Sequence, residues 1–432
     1  MKKTGKLSKY ILVFVGTLLL ISGGFDIKYE YDQSRIEQSQ DTELLSGTDG
    51  SAYTEVSESS PGETVSSEPG SEALTELYAS EETEHTEDTA DPEITLVMIG
   101  DMLMHTSVVA SGEQEDGTYN YDHLFVNVAD QIASADLAIV NQETIMGGDD
   151  LGFSGYPTFN SPTALADAEA AAGFDVILHG TNHALDKGAQ AVLNCIDYWE
   201  LNYPQIAYLG INKSQEAQDE YLYLYEQDGI TIAVLNYTYG TNGIATPSDM
   251  PYLVNYLDEE QVVSDIRRAQ EQADFVIVCP HWGTEYNLGT DSSQEKWTQI
   301  FLEEGVDLVI GTHPHVIEPV EWVTDEEGNE MLVYYSLGNF VNGTSSTGSG
   351  VTNRMVGGMA SVTIGLDEDG EAAILEYEAI PLVCHIADGT DFTVYYLEDY
   401  TQELAAENRI IAQDSEFSLE KCQKLVEQVW GE

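Results

Sequence analysis

A short apolar run leads into two histidines that flank a proline in Val306-Asp307-Leu308-Val309-Ile310-Gly311-Thr312-His313-Pro314-His315. The apolar half indicates a buried strand of a parallel sheet. The histidines then lie at the carboxyl end of that strand, the edge where open α/β sheets bind ligands. Because proline fixes its own φ and favours an extended residue before it, we expect His313 and His315 to be held rigidly. Taken alone, the pair fits metal ligands and surface loop histidines equally well.

Other apolar runs of the chain also stop at polar residues that can bind a metal. Such runs end at Asp101, at Glu143, at Asn182-His183 and at His281. Helix-like segments separate them, and the alternation from residue 94 to 311 predicts an α/β domain with a substantial parallel component. We therefore expect these strand ends to be neighbours.

The pattern changes after residue 311. Strand-like runs over 331–340, 358–366 and 373–381 are joined by turns, which predicts antiparallel β-structure at the far edge of the fold. The Gly/Ser/Thr-rich stretch 342–353 is typical of a mobile loop, here beside the site. An amphipathic helix is predicted over 419–430, and we expect its apolar face to pack on the domain. The alternative is that this face packs on a partner protein.

Six side chains at the strand ends form a donor set for metal ions. They are Asp101, Glu143, Asn182, His281, His313 and His315. Imidazole combined with carboxylate and amide oxygen suits Zn, Mn or Fe, whereas an all-oxygen set would indicate Ca or Mg. Six donors exceed the needs of one ion, so two divalent metal ions could share Glu143 as a bridge.

The chain is strongly acidic. Its 432 residues include 15 Lys or Arg and 77 Asp or Glu, a formal net charge of -62. Such a chain lacks the basic footprint that nucleic acids require, which excludes an electrostatic nucleic-acid binder. Most of the carboxylates are expected to serve solvation.

The N-terminal region is typical of an exported or anchored protein. Residues 1–9 form a basic n-region, and residues 10–25 form an apolar signal peptide or transmembrane anchor. Residues 26–92 are rich in Ser, Thr, Glu and Gly, which predicts an acidic disordered linker. We expect the protein at the extracytoplasmic face of the cell membrane, or secreted.

The cysteines give no disulfide framework. Cys195, Cys279, Cys384 and Cys422 are widely separated, and no Cys-x-x-Cys pair is present. Cys279 lies in a strand-like run and is expected to be a small buried hydrophobe.

Six motifs in order give the chain a family resemblance. They are Gly100-Asp101, Asn141-Gln142-Glu143, Gly180 to Gly188 (GTNHALDKG), Pro280-His281-Trp282-Gly283, Gly311 to His315 (GTHPH) and Tyr335 to Phe340 (YSLGNF). This series resembles the CapA family, which is associated with poly-γ-glutamate capsule synthesis and is similar to calcineurin-like metallophosphoesterases. The resemblance implies a two-sheet sandwich flanked by helices (α/β-β/α) over 93–385, and leaves 386–432 as a C-terminal extension ending in a helix.

The resemblance also implies a role for each motif residue. Asp101 and His315 would bind one ion, Glu143 would bridge, and Asn182, His281 and His313 would bind the other ion. His183 would be the general acid that protonates the leaving oxygen, or a donor that stabilises developing charge.

Two positions depart from the phosphoesterase pattern. Its first motif is Asp-x-His, but here Leu103 stands in the histidine position, so His105 is a candidate additional ligand or an ordinary polar loop residue. Its bridging carboxylate is usually aspartate rather than the longer Glu143. Three further residues are candidates for substrate binding: Ser336, Asn339 and Arg354. The alternatives are a tight β-turn that needs Gly-Asn in any case and, for Arg354, an ordinary solvated arginine.

These observations predict a metal-dependent hydrolase acting on a phosphoester or on a polyglutamate-type envelope polymer in capsule biosynthesis. One alternative is a non-catalytic component that uses the metals to hold the polymer during synthesis, export or anchoring. Another is a degenerate metal fold that serves only as an interaction module. Expected partners are the anionic polymer, the membrane through the N-terminal segment, and capsule-synthesis membrane proteins.

Overall fold

A computed structural model describes residues 92–326, 328–389 and 391–431. The predicted n-region, the signal or anchor segment and all but the last residue of the predicted linker lie outside these ranges. Within them, no helix has the length and apolar character needed to span a membrane.

The described residues form strands and helices that alternate as far as the region of the histidine pair. The strands are β1 (Glu93–Leu103), β2 (Leu137–Asn141), β3 (Val176–Leu178), β4 (Ala207–Leu209), β5 (Tyr223–Gln227), β6 (Ile230–Thr238), β7 (Phe275–His281), β8 (Leu308–Ile310), β9 (Val320–Thr324), β10 (Glu330–Tyr334), β11 (Asn339–Asn342), β12 (Val356–Leu366), β13 (Ala372–Ile386) and β14 (Phe392–Tyr396). The helices are α1 (Thr106–Ser111), α2 (Ala129–Ser134), α3 (Ala164–Ala172), α4 (Gly188–Asn202), α5 (Gln215–Glu220), α6 (Glu259–Gln270), α7 (Ser292–Glu303), α8 (Gln402–Glu407) and α9 (Leu419–Trp430). Short 3₁₀ turns lie at Asp122–Leu124, Asp149–Leu151, Pro251–Leu253, Thr352–Met355 and Arg409–Ala412.

The strands form two sheets. The eight-stranded sheet has the order β14-β13-β12-β1-β2-β3-β4, with β11 paired to β1. In it β1 to β4 are parallel, and β12, β13 and β14 are antiparallel. The six-stranded sheet has the order β5-β6-β7-β8-β10-β9, with antiparallel strands only at its two edges.

The sheets pack face to face, and helices cover their outer faces. Along β1, Leu96 and Met98 face the other sheet, whereas Val97 and Ile99 join a cluster with the helices α3 and α4. The helices α6 and α7 cover the outer face of the six-stranded sheet. This alternation explains why the central strands have continuous apolar sequences, since both of their faces are buried. The predicted α/β two-sheet sandwich flanked by helices is therefore confirmed.

The run over 331–340, predicted as one strand, is two strands in different sheets. The chain leaves the six-stranded sheet after Tyr334 and enters the eight-stranded sheet at Asn339. Gly338 makes the crossing possible, because its φ is 62° and a Cβ there would lie 2.9 Å from the Val316 carbonyl carbon. The crossing places Asn339 beside Asp101 in the register of β11 and β1.

Helix α9 packs against the eight-stranded side of the sandwich. Ser418 caps its N-terminus by accepting a hydrogen bond from the Lys421 amide. Cys422, Leu425 and Val426 are buried in the same cluster as the outer face of β1. All four cysteines are buried and free.

Candidate metal centre

The carboxyl ends of strands from both sheets meet at one buried site. Asp101 and Glu143 come from the ends of β1 and β2 in the eight-stranded sheet. His281 ends β7, and His313 and His315 follow β8 in the six-stranded sheet. Each of these five residues is at most 4% exposed. The strand ends predicted to be neighbours therefore lie together, as the parallel topology requires.

These side chains form two groups of potential metal donors that share Glu143. One group is Asp101, Glu143 and His315, and the other is Glu143, His281 and His313. In each group the donor atoms all lie within 4.8 Å of one another. The family resemblance divides these five residues in the same way and adds Asn182 to the second group.

Hydrogen bonds order the first group. Nδ1 of His315 lies 3.1 Å from Asp101 Oδ2 and 3.1 Å from Asn339 Oδ1. Asn141 donates to the other oxygen of Asp101 at 2.8 Å. Burial lowers the pKa of His315, but the carboxylates of Glu143 and Asp101 outweigh burial and raise it to about 9.

The second group contains two imidazoles that favour the neutral form. His281 places Nε2 3.0 Å from the Asn182 side-chain oxygen and Nδ1 3.0 Å from the Thr312 hydroxyl. Burial, followed by nearby His313 and His315, holds the pKa of His281 well below its usual value. Burial lowers the pKa of His313 in the same way. Neutral imidazoles have the lone pairs that metal binding requires.

Glu143 is the strongest indication that a cation belongs at this site. Neither of its carboxylate oxygens has a hydrogen-bond partner among the described residues, and the residue is 1% exposed. Its Oε1 lies 3.6 Å from His315 Nε2 and 3.8 Å from His281 Nε2. Burial raises the pKa of Glu143 well above its ordinary value. A carboxylate with unpaired buried oxygens between imidazoles is a donor set that fits a divalent ion.

The backbone of the His-Pro-His turn differs from the expected extended form. His313 has a φ of 102° and His315 a φ of 59°, both in the left-handed region that residues with side chains rarely adopt. The preference of the residue before proline for extended backbone is thus overridden. Thr312 pairs with His281 in a parallel β-bridge, and the His313 amide lies 3.4 Å from Asp101 Oδ1. These two contacts fix the turn. Such strain is typical of functional sites.

His183 faces the donor groups without belonging to either. Its Nδ1 lies 2.7 Å from Asp186 Oδ2, and its Nε2 lies 4.0 Å from Glu143 Oε1. A carboxylate only accepts hydrogen bonds, so Nδ1 carries a proton and donates a hydrogen bond to Asp186. Asp186 also accepts from the Phe159 amide at 2.6 Å, which holds the carboxylate in place. Nε2 of His183 is therefore directed at the centre.

A cavity of about 240 Å³ opens beside the donor groups. His105, His183, His315, Asn339 and Arg354 line it. His105 belongs to neither donor group, and burial lowers its pKa to about 4.

Of the three candidates for substrate binding, Asn339 and Arg354 line this cavity. Ser336 is not among the described residues of its wall. The Ser336 hydroxyl instead donates to the Val316 carbonyl at 2.8 Å and accepts from the Gly338 amide. Ser336 therefore contacts the backbone where the chain crosses between the sheets.

Several residues of the site were not given roles from the sequence. Asp186 and Thr312 orient His183 and His281, and Tyr286 lines the cavity. Asp186 and Thr312 each lie within three residues of a predicted site residue, so their proximity in sequence was an available signal. For Tyr286 the sequence offered no such signal, because the loop that follows β7 determines where its ring lies.

Comparison with known proteins identifies the family. The model for the bacterial capsule synthesis protein PGA_cap matches residues 95–344. The chain belongs to this family. It is 32% identical over 169 residues to the PGA biosynthesis protein CapA of Bacillus subtilis (strain 168), which is 39% of this chain and 42% of that protein. It is 25% identical over 260 residues to the capsule biosynthesis protein CapA of Bacillus anthracis, 57% of this chain and 59% of that protein. The chain thus spans about half the length of these relatives.

Solved structures give more distant matches. The NAD nucleotidase NadN of Haemophilus influenzae has a TM-score of 0.44 and 14% identity, covering 68% of this chain and 56% of that one. The 5'-nucleotidase precursor of Thermus thermophilus has a TM-score of 0.42 and 17% identity, covering 67% and 54%. These two matches are too distant to assign an activity to this chain.

Proposed function

We propose that this family member is a metal-dependent hydrolase that acts outside the cytoplasm in capsule biosynthesis. Its substrate would be a phosphoester or an amide of a polyglutamate-type envelope polymer. The observation that carries the proposal is the pair of donor groups that share the buried, unpartnered carboxylate of Glu143. The names of the curated relatives support a role in capsule synthesis.

The donor set fits two divalent ions, with Mn, Zn or Fe favoured by its imidazoles. Asp101 and His315 would hold one ion, His281 and His313 the other, and Glu143 both. Asn182 would add its side-chain oxygen, which lies next to His281. When bound, such a pair of ions stabilises developing negative charge and activates water as a nucleophile.

His183 would supply the proton that the leaving group needs. Asp186 fixes the proton on Nδ1, which leaves Nε2 as the atom facing the centre. In the imidazolium form, Nε2 donates its proton to the leaving oxygen or nitrogen. Phe159 packs edge-on against His183 with ring centroids 4.6 Å apart, which restricts the imidazole orientation. Asp186 and Phe159 would thus position the acid.

A second candidate function is non-catalytic binding of the polymer. One feature favours it: Leu103 stands where the phosphoesterase pattern has a histidine, so the group around Asp101 has three donors, whereas Asn182 would give the other group a fourth. An ion held by fewer protein donors keeps more positions open for carboxylates of a polymer. In either case we propose attachment to the membrane through residues 10–25, or secretion, and capsule-synthesis membrane proteins as partners.

Hydrolysis by the full-length protein distinguishes the two functions. We would load the protein with Mn or Zn and assay it on generic phosphodiesters and on poly-γ-glutamate. His183→Ala and His313→Ala should each lower turnover at least about 100-fold. Only His313→Ala should also lower the metal content.

His123→Ala serves as the control, because His123 contacts Ser111 and lies outside the donor groups. Undiminished hydrolysis in either site variant would rule out the catalytic assignment. No turnover by the wild type, together with tight polymer binding, would favour the binding function.

A further inference from the structure

Arg354 is built into the wall of the cavity beside the donor groups. It lies in the 3₁₀ turn Thr352–Met355 that precedes β12. The Asn339 amide donates to the Arg354 carbonyl at 3.0 Å and to the His315 carbonyl at 3.0 Å. One side chain thus joins the arginine backbone to the His-Pro-His turn.

Tyr286 provides a platform for the guanidinium group. The Arg354 guanidinium carbon lies 3.7 Å from the Tyr286 ring centroid, a cation–π contact. The Tyr286 amide donates to the Pro314 carbonyl at 2.7 Å, and its φ of 65° is one that few residues other than glycine adopt. Its ring centroid lies 6.0 Å from that of His315. The platform is therefore fixed to the same turn that carries the histidines.

The guanidinium group has hydrogen-bonding capacity to spare. Its Nε is buried without a hydrogen-bond partner, and its one polar side-chain contact among the described residues is with Thr344 at 3.5 Å. No carboxylate of the described residues lies within 4.0 Å of it, although 77 of the 432 residues are acidic. Glu285 lines the same cavity but is exposed to solvent.

We propose that Arg354, held on Tyr286, binds a carboxylate that the substrate carries next to the group held at the donor cluster. This inference rests on the proposed function and narrows it to a chain of γ-linked glutamates, in which every unit has a free α-carboxylate beside its amide linkage. The planar fork of arginine matches a carboxylate with two parallel hydrogen bonds. Thr344, Ser345 and Ser346 line the same wall, and their hydroxyls would solvate the carboxylate.

Binding of defined oligomers to the full-length, Mn-loaded protein tests this proposal. The ligands are a γ-linked glutamate hexamer and its analogue with every α-carboxylate replaced by a carboxamide. The protein carries His183→Ala, which keeps the ligand intact, and affinity is measured by titration calorimetry. In this parent protein, the second substitution Arg354→Gln should weaken binding of the hexamer about 10- to 100-fold. It should leave binding of the carboxamide analogue unchanged. Arg354→Lys should give an intermediate affinity, because a lysine ammonium lacks the paired donors.

The control is Arg267→Gln, which removes an exposed ion pair with Glu304 and should change neither affinity. Metal content and melting temperature should be equal in all variants. An equal loss for both ligands, no loss for the hexamer, or no hexamer binding by the parent protein would overturn the proposal. So would an Arg354-dependent affinity that appears only with a glycerol phosphate oligomer. Arg354-dependent binding in a protein whose wild type hydrolyses nothing would support Arg354 and reject the catalytic function.

Discussion

At the scale of single residues, Glu143 and His183 show how burial and neighbours prepare a site. Glu143 is buried without a hydrogen bond to either oxygen, so its charge has no compensation within the described protein except the imidazoles around it. His183, by contrast, has a hydrogen-bond partner in Asp186 and a ring contact with Phe159, and both contacts fix its orientation. The first residue needs a cation, and the second is ready to transfer a proton.

We predict that Asp186→Asn lowers kcat roughly 100-fold and leaves KM and metal content nearly unchanged. Asparagine cannot fix the proton on His183 Nδ1, because its amide can donate to that nitrogen and favour the wrong tautomer. Steady-state kinetics and elemental analysis would measure these quantities. Asp186→Glu should recover part of kcat, since it restores a carboxylate.

The control for this substitution is Asp197→Asn, at an exposed position of helix α4. It should leave every parameter at the wild-type value. A matching loss of metal and of kcat in Asp186→Asn would instead mean that Asp186 only maintains the donor groups.

At the scale of elements, the His-Pro-His turn combines metal donors with a strained backbone. We predict that, in the presence of EDTA, His313→Gly has a free energy of unfolding about 1 kcal/mol larger than that of His313→Ala. Glycine adopts a φ of 102° without the steric cost that alanine pays there. Denaturant unfolding measures the difference. Equal stabilities, or a more stable alanine variant, would show that the turn is not strained at this residue.

Glu318 connects three elements and gives the fold a pH-dependent stability. Its Oε2 accepts from Gln294 at 2.5 Å, and its carbonyl accepts from Trp430 of helix α9 at 2.9 Å. Burial raises its pKa to about 8. A carboxyl whose pKa is raised by folding stabilises the protein below its ordinary pKa, and that stability is lost as the pH rises to 8.

We therefore predict that Glu318→Gln is more stable than the wild type at pH values above 8 and nearly equal to it below pH 4.5. The gain at high pH should be about 1 to 4 kcal/mol. Thermal unfolding across this pH range, with metal removed, measures it. Glu304→Gln is the control, because that carboxylate pairs with exposed Arg267. A wild type whose stability has the same pH slope as Glu318→Gln would contradict the prediction.

The sequence predicts the central strands well, because strands buried on both faces have continuous apolar runs. It also predicts that Asp101, Glu143, His281 and the His-Pro-His turn meet, since parallel strands end at a common edge. It misses β5, β9 and β14, which lie at sheet edges, and neither β5 nor β9 contains a fully buried residue. An edge strand needs few apolar residues, so its pattern resembles that of a loop.

The crossing between β10 and β11 could not be predicted for a different reason. The run over 331–340 is apolar on both sides of Gly338, and apolar pattern alone does not reveal which sheet a strand joins. The distinction depends on the close approach of Gly338 to Val316, a contact that the apolar pattern of the sequence does not encode. The positions of Asn339 and Arg354 follow from that crossing, so they too required the structure.

At the scale of the whole molecule, the donor groups join the two sheets. Asp101 lies in β1 and Glu143 follows β2 of the eight-stranded sheet, whereas His281 ends β7 and the other two histidines follow β8 of the six-stranded sheet. The apolar layer between the sheets holds them together away from this edge. At the edge itself, buried polar groups take the place of that layer. An ion bound there would connect the sheets where apolar packing is absent.

We predict that Mn raises the free energy of unfolding of the full-length protein by about 4 kcal/mol when free Mn exceeds its dissociation constant about 1,000-fold. Each donor group takes residues from both sheets, with Asp101 in one group and His281 in the other. Asp101→Asn and His281→Gln should therefore each remove a large part of this gain, whichever sheet carries the substitution. Calorimetry with increasing Mn measures the effect, and His123→Ala should retain it in full. Loss of the gain in only one of the two site variants would mean that Mn occupies only the donor group containing that residue, and loss in neither variant would contradict Mn binding at the shared centre.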